Sequence, residues 1–102
     1  MMASDWQPRT TVVLQALDKV TARVNRLTGK VGETLRFGTL AIVVRACVAR
    51  PADQAPDSAA FLEVTDGAAT APLFRAWMFA AEPALAVLEH PVYDLRVTAC
   101  TP

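Results

Sequence analysis

His90 is the only histidine in the chain, and carboxylates lie close to it in the sequence. Glu89 precedes it and Asp94 follows four residues later. An imidazole beside carboxylates suits acid–base catalysis or metal binding. Metal sites usually take more ligands than this segment offers. We therefore favour a structural role for His90, at the C-terminus of a helix where the helix dipole stabilises a protonated imidazole. We predict no metal site and no cofactor.

The two cysteines, Cys47 and Cys100, are too far apart for a CxxC redox pair or a zinc knuckle. They fit either a structural disulfide, which needs an oxidising compartment, or two buried thiols. A catalytic thiolate would need a free thiol with a cationic neighbour or a helix N-terminus. The serines, Ser4 and Ser58, lie outside any GxSxG-like turn. The sequence predicts no catalytic residue.

A bulky apolar segment around Trp77 is the best candidate for a binding surface. Aromatic residues and methionine are enriched at protein interfaces. On a strand, alternate residues of this segment would face the core, so only one face is available for a partner. The predicted partner surface comprises Trp77, Phe79, Tyr93 and His90.

Composition and charge exclude several function classes. Ten basic residues balance ten acidic ones in 102 residues, which argues against nucleic-acid binding and against a polybasic membrane patch. Near-zero net charge also permits weak self-association. The longest aliphatic stretch, residues 40–44, ends at Arg45 and is too short to span a membrane. Residues 1–9 have no apolar signal-peptide core, so an exported protein would be represented here by its mature part.

Alternating apolar and polar residues predict a chain built from strands. One face of the strongest strand is apolar from Leu40 to Val48, and Cys47 falls on the other face with Arg45. In the last strand, Leu95 and Val97 share one face and Cys100 falls on the more polar one. Comparable faces for the two cysteines favour the disulfide. Strands are predicted over residues 11–18, 20–28, 33–37, 39–49, 61–65, 73–80 and 92–100.

A short helix is predicted over residues 83–89, because Pro83 suits a first helical turn and Pro91 ends it. The predicted fold is all-β: a small antiparallel β-sandwich or barrel-like domain of about seven strands with this helix before the last one. Residues 1–10 are predicted to be a flexible N-terminal segment in which Trp6 can dock onto the body. Residues 11–102 form the single β-rich domain.

Three segments carry a resemblance to a known family: RFGTLAIVVRAC (36–47), AAFLEV (59–64) and WMFAAEPALAVLEHPVYDLRVTAC (77–100). The chain resembles the alphaproteobacterial domain of unknown function 2155 family over residues 12–100. The resemblance implies a small protein with an export signal and a pattern that includes both cysteine positions. It implies no activity.

The leading hypothesis is an exported, periplasmic, non-enzymatic domain that acts as a structural or accessory interaction protein of the cell envelope, with a protein partner there. A second hypothesis is a binding module for a small molecule or envelope polymer near Trp77. A third, which we favour least, is an enzyme that uses His90.

Overall fold

The computed structural model describes residues 6–67, 69 and 71–102. Residues 1–5 of the predicted flexible segment lie outside the described residues. The described part confirms the all-β prediction, with a single 3-10 turn, Pro83–Leu85, as its helical structure. It contains eight strands: β1 Gln7–Pro8, β2 Thr11–Asp18, β3 Arg23–Lys30, β4 Thr34–Phe37, β5 Leu40–Ala49, β6 Ser58–Asp66, β7 Phe74–Phe79 and β8 Tyr93–Thr101.

The strands form two antiparallel sheets that pack as a sandwich. In sheet A, β5 pairs with β6 and β6 pairs with β7. The short strands β1 and β4 share the other side of β5, β1 near its end and β4 near its start. Sheet B has the order β3-β2-β8. The core lies between the sheets, and its largest fully buried side chains are Val12, Leu14, Leu40, Ile42, Val44, Leu62 and Val64.

A β-bulge at Arg45 corrects the predicted faces of β5. Val44 pairs with Leu62 and Ala46 with Phe61, so Arg45 is an extra residue in the strand. The alternation therefore changes phase there, as bulges require. Cys47, predicted on the less apolar face, is buried in the core.

A second bulge, at Thr98, changes the phase of the alternation in β8. Val13 pairs with Ala99 and Leu14 with Val97, which leaves Thr98 as the extra residue. Its hydroxyl donates a hydrogen bond to the Val13 carbonyl at 3.0 Å. Cys100, predicted on the polar face, is buried as a result.

The two buried cysteines form the predicted disulfide. It connects β5 in sheet A to β8 in sheet B, with the Cα atoms 5.8 Å apart. Beside it, the Ser58 hydroxyl of β6 accepts a hydrogen bond from the Cys100 amide at 3.0 Å. Covalent and hydrogen-bonded links thus join the last strand to the opposite sheet.

The prediction of a helix over residues 83–89 is wrong. After the 3-10 turn the chain becomes extended at Ala86, with φ −147° and ψ 113°. Seven residues gain too few hydrogen bonds to offset the cost of helix nucleation. The extended chain buries Leu88 in the core and leaves Leu85 exposed, although a helix would have placed both on one side.

The start of β3 also differs from prediction, because residues 19–22 form a turn. The Asp18 carboxylate accepts hydrogen bonds from the amides of Val20 and Thr21 at 2.9 and 3.2 Å. Ala22 has φ +59°, which is incompatible with a strand. The strand therefore begins at Arg23 rather than at residue 20.

We expect loss of the disulfide to destabilise the protein strongly. In the chain-entropy model, a closed loop of this length contributes about 4 kcal/mol to the free energy of unfolding. Urea denaturation of the Cys47→Ala/Cys100→Ala variant should show this loss. Reductant should lower the wild-type midpoint and leave the variant's unchanged. Equal midpoints for oxidised and reduced wild-type protein would contradict the prediction.

Candidate functional site

An aromatic cluster lies on the outer face of sheet A, away from the core. Trp77 and Phe61 are opposite each other on β7 and β6, and their rings meet edge to face with centroids 5.5 Å apart. Met78 points inward and is buried, whereas Trp77 is 38% exposed. The alternation of β7 therefore leaves a large aromatic side chain at the surface.

The N-terminal strand β1 adds a second tryptophan to this face. Gln7 and Pro8 pair with Ala49 and Val48 of β5. This pairing brings the Trp6 ring to Phe79, with centroids 6.2 Å apart in an edge-to-face arrangement. The residues at the end of the predicted N-terminal segment are thus docked on sheet A.

These side chains line an open apolar groove of about 260 Å³. The Arg50 guanidinium lies 4.2 Å from the centroid of the Trp6 ring, in cation–π contact. The groove therefore offers aromatic surface with a cation at one edge. Its lining residues are Trp6, Val48, Ala59, Trp77 and Phe79.

A row of charged residues continues along the same face. Glu63 on β6 accepts from Arg45 Nε at 2.5 Å and from Arg75 Nε at 2.9 Å. Both arginines are mainly exposed, so each pair contributes at most about 1 kcal/mol to stability. Two guanidinium groups share one carboxylate, and the row carries a net positive charge.

His90 lies at the opposite end of β6 from Phe79 and does not cap a helix. Its Nε2 is 2.7 Å from Asp66 Oδ2. Its Nδ1 faces the backbone amides of Val92 and Tyr93 at 3.0 and 3.2 Å. Because backbone N–H groups only donate, Nδ1 accepts and Nε2 carries the proton donated to Asp66. The prediction that His90 caps a helix is therefore wrong. Its ring instead connects the end of β6 to the start of β8 through hydrogen bonds.

Asp66 connects His90 to the start of β5. Its other carboxylate oxygen accepts a hydrogen bond from the Thr39 hydroxyl. The hydrogen bond from Thr39, followed by that from His90, lowers the pKa of Asp66 below its ordinary value of 3.8. The hydrogen-bonded group of Thr39, Asp66 and His90 joins the start of β5 and the end of β6 to the segment that enters β8.

Tyr93 completes this group from the first position of β8. Its ring lies 5.0 Å from the His90 ring and meets Phe37 edge to face at 5.5 Å. Gly38 has φ +59°, and a Cβ there would collide with the Tyr93 hydroxyl. A glycine is therefore required where the tyrosine crosses the β4–β5 turn.

The predicted partner surface thus divides into two places. Trp77 and Phe79 come together in the outer groove. His90 and Tyr93 lie beside Asp66, where β5 and β6 meet the segment that enters β8. Sequence reasoning missed Thr39, Asp66 and Arg50 as partners, because these contacts join residues distant in the chain and no local spacing signals them.

The described residues contain neither a metal-binding cluster nor a membrane-spanning helix. Across 6–67, 69 and 71–102, no three His, Cys, Asp or Glu side chains cluster as a metal site would require. Within these same residues, no helix is long and apolar enough to cross a membrane.

Comparison with known proteins identifies a family. Residues 12–100 match a family described as "Uncharacterized protein conserved in bacteria (DUF2155)". The match covers most of the chain, which therefore belongs to this family, and the resemblance noted from sequence is confirmed. An uncharacterized protein of Rickettsia prowazekii (strain Madrid E) is 25% identical over 101 residues, covering 96% of this chain and 65% of the relative. No solved structure matches the chain.

We expect the Thr39→Val variant to raise the pKa of Asp66 toward 3.8, because it removes the largest cause of the lowering. Since the folded-state pKa is lowered, ionised Asp66 stabilises the fold above pH 3.8, and this contribution is lost as the pH falls through the folded-state pKa. An NMR titration of the Asp66 carboxyl group measures the shift. Thr98→Val, which removes a hydroxyl elsewhere, is the control and should leave this pKa unchanged. An unaltered pKa in Thr39→Val would refute the assignment.

Proposed function

We propose that this member of the DUF2155 family is an exported, periplasmic accessory domain of the cell envelope that binds a protein partner through the outer groove of sheet A. The observation that carries the proposal is the exposure of Trp77 in an open groove formed by three strands. Half-exposed tryptophan in a preformed apolar groove is typical of the anchor positions of protein interfaces.

The disulfide supports the export part of the proposal. A buried disulfide between sheets persists in oxidising compartments such as the periplasm and is rare in the cytosol. Cys47 and Cys100 are both committed to it. A cytosolic location would leave two reduced thiols in the core and remove this link between the sheets.

A non-enzymatic role is supported by the surroundings of the groups that could react. Both nitrogens of His90 are engaged within the fold, and its side chain is only 10% exposed. A general base must reach a proton of its substrate. For His90 to act as one, it would first have to leave its partners Asp66 and Val92, which disfavours the enzyme hypothesis.

The charges around the groove support a partner that carries acidic residues. Arg50 stacks on Trp6, and Arg45 and Arg75 flank Glu63 on the same face. Complementary charge at the rim of an interface favours encounter and orientation. The partner would therefore offer an apolar segment with acidic residues beside it.

A small molecule or an envelope polymer is the second candidate for the same groove. The apolar lining and the stacked Arg50–Trp6 pair favour it, because ligand sites are mainly apolar with few polar groups. Titration with solubilised peptidoglycan fragments, followed by the heat of binding in a calorimeter, tests this candidate. A saturable heat of binding that Trp77→Ala abolishes would support it over a protein partner.

We expect the Trp77→Ala variant to lose its partner in the cell, because truncating an interface anchor typically costs more than about 2 kcal/mol of binding free energy. Crosslinking in intact cells that produce wild-type or variant protein, followed by mass spectrometry, measures the loss. Localisation of the protein is determined in the same cells by fractionation.

Val24→Ala is the matched control, since Val24 is an exposed apolar residue on the other sheet. The control should retain the stoichiometric partner that Trp77→Ala loses. A partner captured equally by both variants would contradict binding at the groove, and a cytosolic location would contradict export.

A further inference from the structure

Strand β7 forms an open edge of sheet A. It pairs with β6 on one side, and the structure gives it no strand partner on the other within the described residues. The Ala80 amide donates to the Ser58 carbonyl at 2.8 Å, in register with the β6–β7 ladder. Because antiparallel strands alternate the direction of their backbone groups, Arg75, Trp77 and Phe79 direct theirs away from β6.

The sequence of β7 lacks the residues that normally prevent edge strands from pairing. Exposed edges usually carry lysine, proline, several charges or a bulge. One of the two edge strands of sheet B fits that description, because β3 carries Arg23, Arg26 and Lys30 on exposed positions. Strand β7 reads FRAWMF, with one charge and three aromatic residues. Its composition favours pairing rather than preventing it.

The chain that follows β7 extends the apolar surface. The 3-10 turn Pro83–Leu85 contacts β7. Leu85 and Val87, at its end and just beyond it, are 65% and 53% exposed. An additional strand at this edge would therefore lie near apolar side chains as well as unpaired backbone groups.

We propose that the occupant of this edge is β7 of a second copy of this chain, paired antiparallel and centred on Trp77. In this register Trp77 lies opposite the partner subunit's Trp77, and Arg75 opposite the partner subunit's Phe79. The three outward residues of each strand then form three hydrogen-bonded pairs, with two hydrogen bonds each.

The charges of the strand favour self-pairing in this register. The two copies of Arg75 lie at opposite ends of the paired region, about 13 Å apart along the strand direction at ~3.3 Å per residue. Each arginine meets an aromatic ring across the interface, which is favourable for a guanidinium group. Zero net charge adds no long-range repulsion between copies.

Self-pairing would place two aromatic grooves side by side on one continuous sheet. It does not require the envelope partner proposed above, since it rests on the backbone of β7. The two proposals can therefore fail separately. If the protein is monomeric but still binds a partner through the groove, only the proposal of a dimer is refuted. An acidic segment of another protein is the competing occupant of the edge.

We expect a concentration-dependent dimer in sedimentation equilibrium of the oxidised protein. Trp77→Lys and Trp77→Glu should each be monomeric where wild type is dimeric, because each places like charges opposite one another. An equimolar mixture of the two variants should restore a dimer, which native mass spectrometry identifies as the heterodimer. Val24→Lys and Val24→Glu, on the β3 edge, should leave the dimer intact.

Amide hydrogen exchange tests the same pairing without a mutation. The amides of Arg75, Trp77 and Phe79 should become protected as the protein concentration rises. The amide of Arg26 on β3, which the same alternation directs away from β2, should not change. A wild-type protein that stays monomeric at all concentrations overturns the proposal. A mixture of charge variants that stays monomeric, or protection that does not depend on concentration, also overturns it.

Discussion

The disulfide between Cys47 and Cys100 is the constraint on which the architecture depends. Two sheets of five and three short strands bury a small core, and one covalent bond joins the middle strand of one to the last strand of the other. That bond exists because each strand carries a bulge, at Arg45 and at Thr98, that turns its cysteine into the core. Without either bulge, one sulfur would lie on the wrong face of its sheet.

A second link, made of hydrogen bonds, lies at the other end of the same strands. Thr39, Asp66 and His90 join the start of β5 and the end of β6 to the segment that enters β8. The cysteines lie near the C-terminal ends of β5 and β8. The disulfide and the hydrogen-bonded group therefore connect the two sheets at opposite ends of the sandwich. The outer groove and the edge strand β7 are the two features for which we propose partners. Both belong to sheet A, and Trp77 lies in both.

Local patterns were sufficient to predict much of this fold. The strands at residues 11–18 and 39–49 follow directly from β-branched and alternating sequence. The disulfide was favoured because both cysteines were predicted on comparable faces of their strands. The faces of the cysteines were wrong because a bulge changes the phase of the alternation, and a single extra residue leaves no signature in composition. The helix at 83–89 was wrong because burial of Leu88 outweighs the helical preference of a short segment. The link between Asp66 and His90 crosses 24 positions and is set by tertiary packing.

Disulfide mapping of the protein in its native cell tests the central claim most directly. Free thiols are alkylated in intact cells, and the protein is then digested with trypsin without reduction. A covalent pair formed by the peptide 46–75, which contains Cys47, and the peptide that begins at Val97, which contains Cys100, is the result that this account predicts. Recovery of both peptides separately, each with an alkylated cysteine, would contradict it, because the sheets would then be held together without the bond and the case for export would be lost.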